Sequence, residues 1–275
     1  MLAADGVAAA ALHAGFGAAF SDYLLGPFQL TPQQWPQFLA RQGVDLALSR
    51  VLMMDGAVRA FALAAPRPDI GHWRLAAMGV VPGSRGNGAA PTLLDDFIAR
   101  ASAAGMQGVE LECFEQNERA LRLYRGRGFE PLHALYGYTH GGDPAGSEPT
   151  GVDDVELADA FEWIDDFKRG HGDLHFQVTP ASLRALPGPL QAWRRGSAQL
   201  VFAQPGTGVL TVHCLLDAQP RQDDAQALAQ ALVHRHPTLE VKLPQLQRLD
   251  LGGAALERMG FQRLALHQLL MRRAA

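Results

Sequence analysis

Apolar residues recur along this chain in two rhythms, one of helical spacing and one of short, strand-like runs. Residues 5–20 (DGVAAAALHAGFGAAF) carry the helical rhythm and end in a turn punctuated by proline and glycine, LLGPFQLTP. Thr31 followed by Pro32 predicts the start of a second helix, as an N-cap and a proline at the first helical position. DLALSRVLMM and GAVRAFALAA are apolar runs joined by Asp55-Gly56, a pair suited to a two-residue hairpin. HWRLAAMGVV (72–81) reads as another strand. Leu93, Leu94, Phe97, Ile98 and Ala101 then share one helical face, with Gly105 as the stop and Pro91 as the predicted start. GVELECF (108–114) is a strand, ERALRLYRGRGF a short amphipathic helix, and LHALYGY (132–138) a further strand.

HGGDPAGSEPTG (140–151) has no apolar anchor and a linker's composition, which divides the chain into residues 1–140, a linker at 141–151, and residues 152–275. The second part repeats the first in worn form. SAQLVFAQ and GVLTVHCLL resemble a hairpin around Gly206-Thr207. DDAQALAQALVHR is helical, TLEVKL a strand, LGGAALERMGF a short helix and LALHQLLMR a last strand. ALRLYRGRGFEPL and AALERMGFQRL share a helix, a Gly-Phe and a following strand, the mark of an internal repeat.

Composition narrows the class. The chain has 275 residues, 48% of them apolar, which suffices for two buried cores. A net charge of −4, evenly spread, gives no basic face for nucleic acid. No run is apolar for the roughly 18 residues of a membrane span, and the alanine-rich start carries Asp5 and lacks a positive leader region. Two cysteines, Cys113 and Cys214, are too few for a disulfide framework and read as buried thiols of a cytoplasmic protein.

The chemistry gathers at VVPGSRGNGAAPTLL (80–94). Gly86 and Gly88 permit positive φ and close approach to the backbone, and the helix that follows turns its N–H groups outward at its positive end. Such a turn suits a pyrophosphate, with Arg85 as a charged partner, although it also serves as a tight strand-to-helix connection with nothing bound. A dinucleotide-binding reading fails because Pro91 stands where the third glycine belongs. Ser84 has no nucleophile elbow. His171 and His175, and His234 and His236, lack a third ligand, so no metal is expected.

Val80-Val81-Pro82 with Arg85, Gly88 and Ala90 resembles the acyl-CoA-binding motif of the GNAT N-acetyltransferase superfamily, Arg/Gln-x-x-Gly-x-Gly/Ala after a Val-x-Pro strand end. Asn117, Ala120, Tyr124 and Gly128-Phe129 resemble its second motif. The resemblance covers roughly residues 15–140. It implies an α/β (α+β) fold of two GNAT-like domains. Each would have a central, mostly antiparallel mixed sheet with a splayed parallel strand pair, flanked by helices. It implies that Met78, Gly79, Val80 and Val81 hold the pantetheine arm of acetyl-CoA in the splay, with Val80 N–H polarising the thioester carbonyl. Residues Arg85, Gly86, Asn87, Gly88, Ala89 and Ala90 would hold the pyrophosphate, and Asn117 the arm or the chain beside it.

By the same resemblance Tyr124 is the general acid for the leaving thiolate. The general base stays open: Glu112 shares a strand face with Glu110 and serves either as base, directly or through water, or as a structural carboxylate. Strand 72–81 offers no carboxylate. Asp22 and Tyr23 match the position of the family's acceptor pocket, where an acidic residue suits a cationic amine.

In the second half, aligning Gly260-Phe261 on Gly128-Phe129 sets Leu256 against Tyr124 and Leu249 against Asn117. The counterpart of the glycine turn has no glycine and carries Asp223 and Asp224, so this half is expected not to bind CoA. The expected whole is a pseudo-dimer with one active half. Its expected activity is transfer of an acetyl group from acetyl-CoA to a primary amine of a small molecule or peptide, in a ternary complex. The alternative is a non-catalytic acyl-CoA sensor on the same fold.

Overall fold

The computed structural model describes residues 1–142, 146–171, 173–203 and 208–274, so the turn expected at Gly206-Thr207 lies outside the described residues. Two compact units interleave along the sequence. The first holds Met1–Cys113, Asn117–Leu132 and the residues from Leu270 onward, and the second holds Phe114–Gln116 and His133–Leu269. Among the described residues no helix is long and apolar enough to cross a membrane.

The first unit opens with a two-residue strand, β1 (Leu2–Ala3), paired to β2 (Asp45–Met54). Between them lie α1 (Ala9–Ala19) and α2 (Trp35–Arg41). The expected single helix over 5–20 is split, because residues 4–6 form a separate 3-10 turn. Likewise α2 starts at Trp35, not at Pro32. Thr31 and Gln34 cap each other reciprocally, Thr31 N–H to Gln34 Oε1 at 3.0 Å and Gln34 N–H to Thr31 Oγ at 3.3 Å, and this closes a turn ahead of the helix. The expected hairpin joins β2 to β3 (Ala57–Arg67), with Asp55 at φ 53° and Gly56 at φ 73°, as a type I′ turn requires.

β4 (His72–Val80) pairs antiparallel to β3, α3 (Ala89–Ala103) follows the glycine turn, and β5 (Gly108–Phe114) runs parallel to β4. α4 (Glu118–Arg125) completes this stretch. α3 begins two residues before the expected Pro91. Gly88, at φ 79°, is its N-cap, and a proline in the first turn needs no hydrogen-bonded N–H. Leu93, Leu94, Phe97 and Ala101 of α3 are buried. A separate core cluster joins Leu12, Phe16, Ala19 and Trp35 to Val51, Val58, Phe61 and Leu63 of the sheet.

The second unit contains β6 (Glu130–His140, from His133), β7 (Asp153–Val155), α5 (Leu157–Gly170), α6 (Pro180–Leu183), β8 (Leu190–Arg195), β9 (Ala198–Ala203), β10 (Val209–Leu216), α7 (Asp223–Arg235), β11 (Glu240–Gln247), α8 (Gly253–Arg258) and β12 (Gln262–Arg263). Its strand order is β6-β11-β10-β9-β8-β7, antiparallel except for the β10–β11 pair. The last strand, β13 (Gln268–Ala274), crosses back, so that from Leu270 it belongs to the first unit beside β5. Alternation in LALHQLLMR marks a strand, but which sheet edge it joins is a long-range choice that alternation does not encode. Each unit is thus a mixed sheet flanked by helices.

Candidate functional site

The first unit's two parallel strands part company midway. β4 and β5 pair from His72↔Gly108 to Leu75↔Leu111, and no residue of β4 beyond Leu75 has a partner on β5 among the described residues. The cause is local. β4 bulges against β3 at Ala76, since Ala64 faces Leu75 while Leu63 faces Ala77, and a bulge bends and twists the strand that carries it. Beyond it β4 stays paired to β3 through Ala60↔Val80.

Strand alternation then decides which backbone groups face the gap. Val81 N–H donates to Arg59 O on the β3 side at 2.9 Å, and Val81 O accepts from Ser84 N–H at 2.8 Å. Val81 and, two residues back, Gly79 therefore turn their backbone groups away from the gap, whereas Met78 and Val80 turn theirs into it. Of the four residues expected to hold a pantetheine arm, only Met78 and Val80 turn groups into the gap, and the Val80 carbonyl there already accepts from Arg85 Nε at 3.0 Å. Gly79 serves by being small: an added Cβ would come within 2.8 Å of the Phe61 ring and 2.9 Å of Ala19 Cβ.

The glycine turn leaves its backbone N–H groups open. Gly86 and Gly88 have φ of 86° and 79°, and a Cβ on either would meet open space. The N–H groups of Gly86, Asn87, Gly88, Ala89 and Ala90 have no hydrogen-bond acceptor among the described residues, and α3 has no acidic residue in its first turn. Arg85 is committed elsewhere. Its Nε donates to Val80 O at 3.0 Å, and Nη2 donates to Ala19 O at 3.1 Å. Both Nη atoms clasp Asp22 at 2.5 and 2.7 Å. The hydrogen bonds from Arg85 hold the Asp22 carboxyl below its usual range. The side chain thus ties the end of β4 to α1, instead of reaching for a phosphate. Asp22 is its counter-ion and offers no free charge for a cationic acceptor.

Downstream, Asn117 caps α4 by accepting Ala120 N–H at 3.2 Å. Tyr124 is buried, its ring 5.9 Å from Phe129 in an edge-on contact. Gly128, at φ 78°, lets the chain turn so that Phe129 N–H reaches Tyr124 O. Burial pushes the Tyr124 phenol well above its ordinary range, with Cys113 and Tyr23 near enough to add to the shift. The same burial pushes Tyr23 and Cys113 each up to about 12. The three groups share one dry environment beside the splayed end of β5. The Tyr124 hydroxyl itself makes no hydrogen bond among the described residues.

The carboxylates of β5 are occupied. Glu112 lies 2.7 Å from Arg74 Nη2 and also accepts from Arg74 Nε at 2.8 Å, both side chains being almost fully buried. Arg74 in turn holds Gln42 O and Oε1 at 3.1 and 3.0 Å. Glu110 is fully buried between Arg67, at 2.5 Å, and Arg272, at 3.1 Å, and burial raises its pKa against the pull of those charges. The Glu112 carboxylate is committed to the Arg74 guanidinium in a buried pair, an arrangement that ties β4 to β5. Sequence reasoning saw Arg74 only as a strand residue. Alternate spacing on a strand places a charge on a face but does not name its partner 38 residues away.

The second unit repeats the splay and then closes it. β10 and β11 pair only from Val209↔Glu240 to Thr211↔Lys242, and β10 bulges at His213 against β9. Across the opening, Gln247 Nε2 donates to Leu215 O, Arg248 O and Leu251 O at 2.9 to 3.2 Å. At the head of α7 the fully buried Asp217 accepts from Ala225 N–H at 3.1 Å, Gln219 N–H at 2.9 Å and Ser197 Oγ at 3.1 Å. Sequence reasoning gave the anion-excluding role to Asp223 and Asp224. Asp223 instead pairs with Arg221, and Asp224 with Ser197 and Arg195. Asp217, the acid directly after the strand, is the one whose oxygens meet the N–H groups at the head of α7. Among the described residues no group of three or more His, Cys, Asp or Glu side chains is arranged to hold a metal ion.

The sequence model of the acetyltransferase (GNAT) family matches residues 18–129, which take in the splay, the glycine turn and Tyr124. Those residues form a GNAT acetyltransferase domain. No curated protein is detectably similar in sequence. Among solved structures, the fold resembles a GCN5-related N-acetyltransferase from Sphaerobacter thermophilus, at 14% identity and TM-score 0.62 over 100% of this chain and 94% of that one. It also resembles a GCN5-related N-acetyltransferase from Anabaena variabilis, at 16% identity and TM-score 0.66 over 98% and 71%. A tandem GNAT protein from the clavulanic acid biosynthesis pathway matches at 13% identity and TM-score 0.60 over 99% and 97%. At these identities the likeness is one of fold, and it extends over both units.

Proposed function

We propose that the first unit is an acetyltransferase that moves an acetyl group from acetyl-CoA to a primary amine of a small molecule or peptide, with donor and acceptor bound together. The observation that carries this reading is the set of five N–H groups at residues 86–90 without an acceptor, directly after a strand whose Met78 and Val80 face an unpaired gap. Such a cradle fits a pyrophosphate, and an open strand edge fits an extended amide-bearing arm. The family match over residues 18–129 supports acetyl transfer as the chemistry. Cys113 and Cys214 are buried and form no disulfide, which supports a cytoplasmic setting.

Bound there, acetyl-CoA supplies an acetyl group as a thioester; transfer forms a C–N bond, breaks the C–S bond and leaves a thiolate that needs a proton. Val80 N–H, turned into the gap, is the donor available to a carbonyl oxygen as charge builds on it. Tyr124 holds the proton. Burial keeps its phenol protonated at any working pH, which by itself makes it a weak acid. The Cys113 thiol, pushed up to about 12 by the same environment, shows how strong a base a thiolate becomes here. A thiolate leaving into the same surroundings would be raised by desolvation in the same direction as the phenol.

Calorimetric titration with acetyl-CoA tests the reading. Binding is expected for the native chain and is lost in Gly88→Leu; since leucine is strained at the φ of 79° found there, thermal unfolding of the variant is measured alongside to show that it is folded. No binding by the native chain, or undiminished binding by the variant, removes the proposal. One observation favours a second reading, a non-catalytic acyl-CoA sensor: Asp22, Glu110 and Glu112 are all held by arginines, which leaves no evident base. Tyr124→Phe separates the two. An enzyme keeps its acetyl-CoA affinity and loses about 10²- to 10⁴-fold in kcat, whereas a sensor releases no thiol with any acceptor.

A further inference from the structure

In the first unit an exposed apolar patch borders a buried aromatic cluster that reaches Gly79 on β4. Phe16 sits at its centre, its ring centroid 4.7 Å from Phe20 and 5.5 Å from both Phe28 and Phe61. Phe61 lines the inner end, against Gly79. Phe20 leads to Tyr23 at 4.9 Å, and Tyr23 shares the environment of Tyr124. At the outer end Leu24, Leu25 and Phe28 are 44%, 54% and 36% exposed, a cluster of large apolar side chains that a folded chain normally covers.

Charge points the same way. β4 has no carboxylate. On β5, Glu110 and Glu112 are held by Arg67, Arg272 and Arg74, and on the loop after α1 Asp22 is held by Arg85. Glu118, the one acid of α4, stands six residues before Tyr124, about 240° round the helix from it. Every acid on these elements is thus paired with an arginine, Glu118 with Arg122. Nor do the rings form a cation cage. Phe16 meets Phe28 at 70° and Phe20 meets Tyr23 at 84°, so ring edges abut ring faces and no set of faces is turned on one point.

We propose that the acceptor is an apolar molecule with a single weakly basic amine, its body laid against Phe20, Tyr23 and Phe28 and its nitrogen arriving unprotonated. This rests on the acetyltransferase reading above. A nitrogen attacks only through its lone pair. At pH 8 an α-amine, with a pKa of about 8, is roughly half unprotonated, while an alkylamine near 10.4 is unprotonated to less than about 1%. The balance closes without a side-chain base: the neutral nitrogen takes the acetyl carbon, sulfur leaves with the Tyr124 proton, and the nitrogen's surplus proton passes to water and back to the phenolate.

Four acceptors test this by thiol release at pH 8, alongside calorimetry with acetyl-CoA. They are phenylalaninamide (apolar, weakly basic), glycinamide (small, weakly basic), phenethylamine (apolar, strongly basic) and spermidine (polycationic). Phenylalaninamide is expected to exceed glycinamide in kcat/KM by about tenfold or more, and to exceed phenethylamine, with spermidine last. Phe28→Ala, at a partly exposed position, should raise KM for phenylalaninamide toward that for glycinamide, and by more than it raises KM for glycinamide itself. A preference for spermidine or glycinamide overturns the proposal, as does turnover of none of the four by a chain that binds acetyl-CoA. Failure to bind acetyl-CoA removes the acetyltransferase reading and takes this proposal with it.

Discussion

Replacing Glu112 by glutamine separates a structural carboxylate from a catalytic base. The Glu112 and Arg74 side chains are 4% and 2% exposed and meet through contacts of 2.7 and 2.8 Å. Stripping one partner from a buried pair typically costs about 3–5 kcal/mol, because a charge is left buried and uncompensated. Glutamine keeps the shape and one acceptor oxygen, and Arg74 retains its two contacts to Gln42, so about 2–3 kcal/mol is expected here. For a domain of this size that lowers the unfolding midpoint by roughly 5–10 °C. Thermal unfolding reads the shift, and thiol release well below the midpoint reads the chemistry. Glu112→Gln should keep kcat within about threefold, far short of the 10²- to 10⁴-fold loss that removing a general base produces. A double variant, Arg74→Met with Glu112→Leu, should recover most of the lost stability, since apolar replacement of a whole buried pair is often neutral or better. A hundredfold fall in kcat with an unshifted midpoint would refute the structural assignment and restore Glu112 as the base.

The Asp22–Arg85 clasp predicts a pH profile. The Asp22 pKa is lowered by its partner, so its contribution is fully present above the ordinary value of 3.8 and is lost only as pH falls through the depressed folded value. The ratio of acetyl-CoA affinities between the native chain and Asp22→Asn should therefore stay constant from pH 8 to pH 5; a ratio that collapses between pH 6 and 5 would mean that the clasp is not what holds the turn. For the second unit, calorimetry should count one acetyl-CoA per chain. Asp217→Ala should lower thermal stability without adding a second site, because Gln247 still bridges the splay; two equivalents in the native chain would contradict the closure described here.

What was legible in the sequence was local. Asp55-Gly56 names its own turn, Gly86 and Gly88 announce positive φ, and the Tyr124-to-Gly128-Phe129 spacing has a plain cause, a left-handed glycine that ends α4 and brings Phe129 onto Tyr124. What stayed hidden was pairing at a distance. Arg74 finds Glu112 across 38 residues, Arg85 finds Asp22 across 63, and β13 finds β5 from the far end of the chain. Each depends on how elements stack, which residue rhythm leaves free. The bulge at Ala76 is a middle case. Nothing in HWRLAAMGVV marks it, yet it decides which N–H groups face the gap, and so removes Gly79 and Val81 from the groups able to hold a ligand while leaving Met78 and Val80.

The two units together form an internal control on what the fold itself confers. Both carry a parallel pair that splays, and in both the strand bulges within two residues of where pairing stops, at Ala76 in one and His213 in the other. Splaying therefore belongs to the topology and cannot by itself mark a cofactor site. The difference lies in a few polar atoms. Among the described residues, the first unit's turn N–H groups have no acceptor and β4 has no β5 partner beyond Leu75; in the second unit a carboxylate oxygen of Asp217 meets α7's first turn, and the Gln247 amide bridges to the Leu215 carbonyl. A buried polar group left without a partner costs more than a net hydrogen bond returns, so a splay that loses its ligand gains stability by closing on its own side chains. The N–H groups at residues 86–90 lie at exposed or half-buried positions, so the difference between the units is one of access: the first unit's turn is open to an anion, and the second unit's is taken by its own carboxylate.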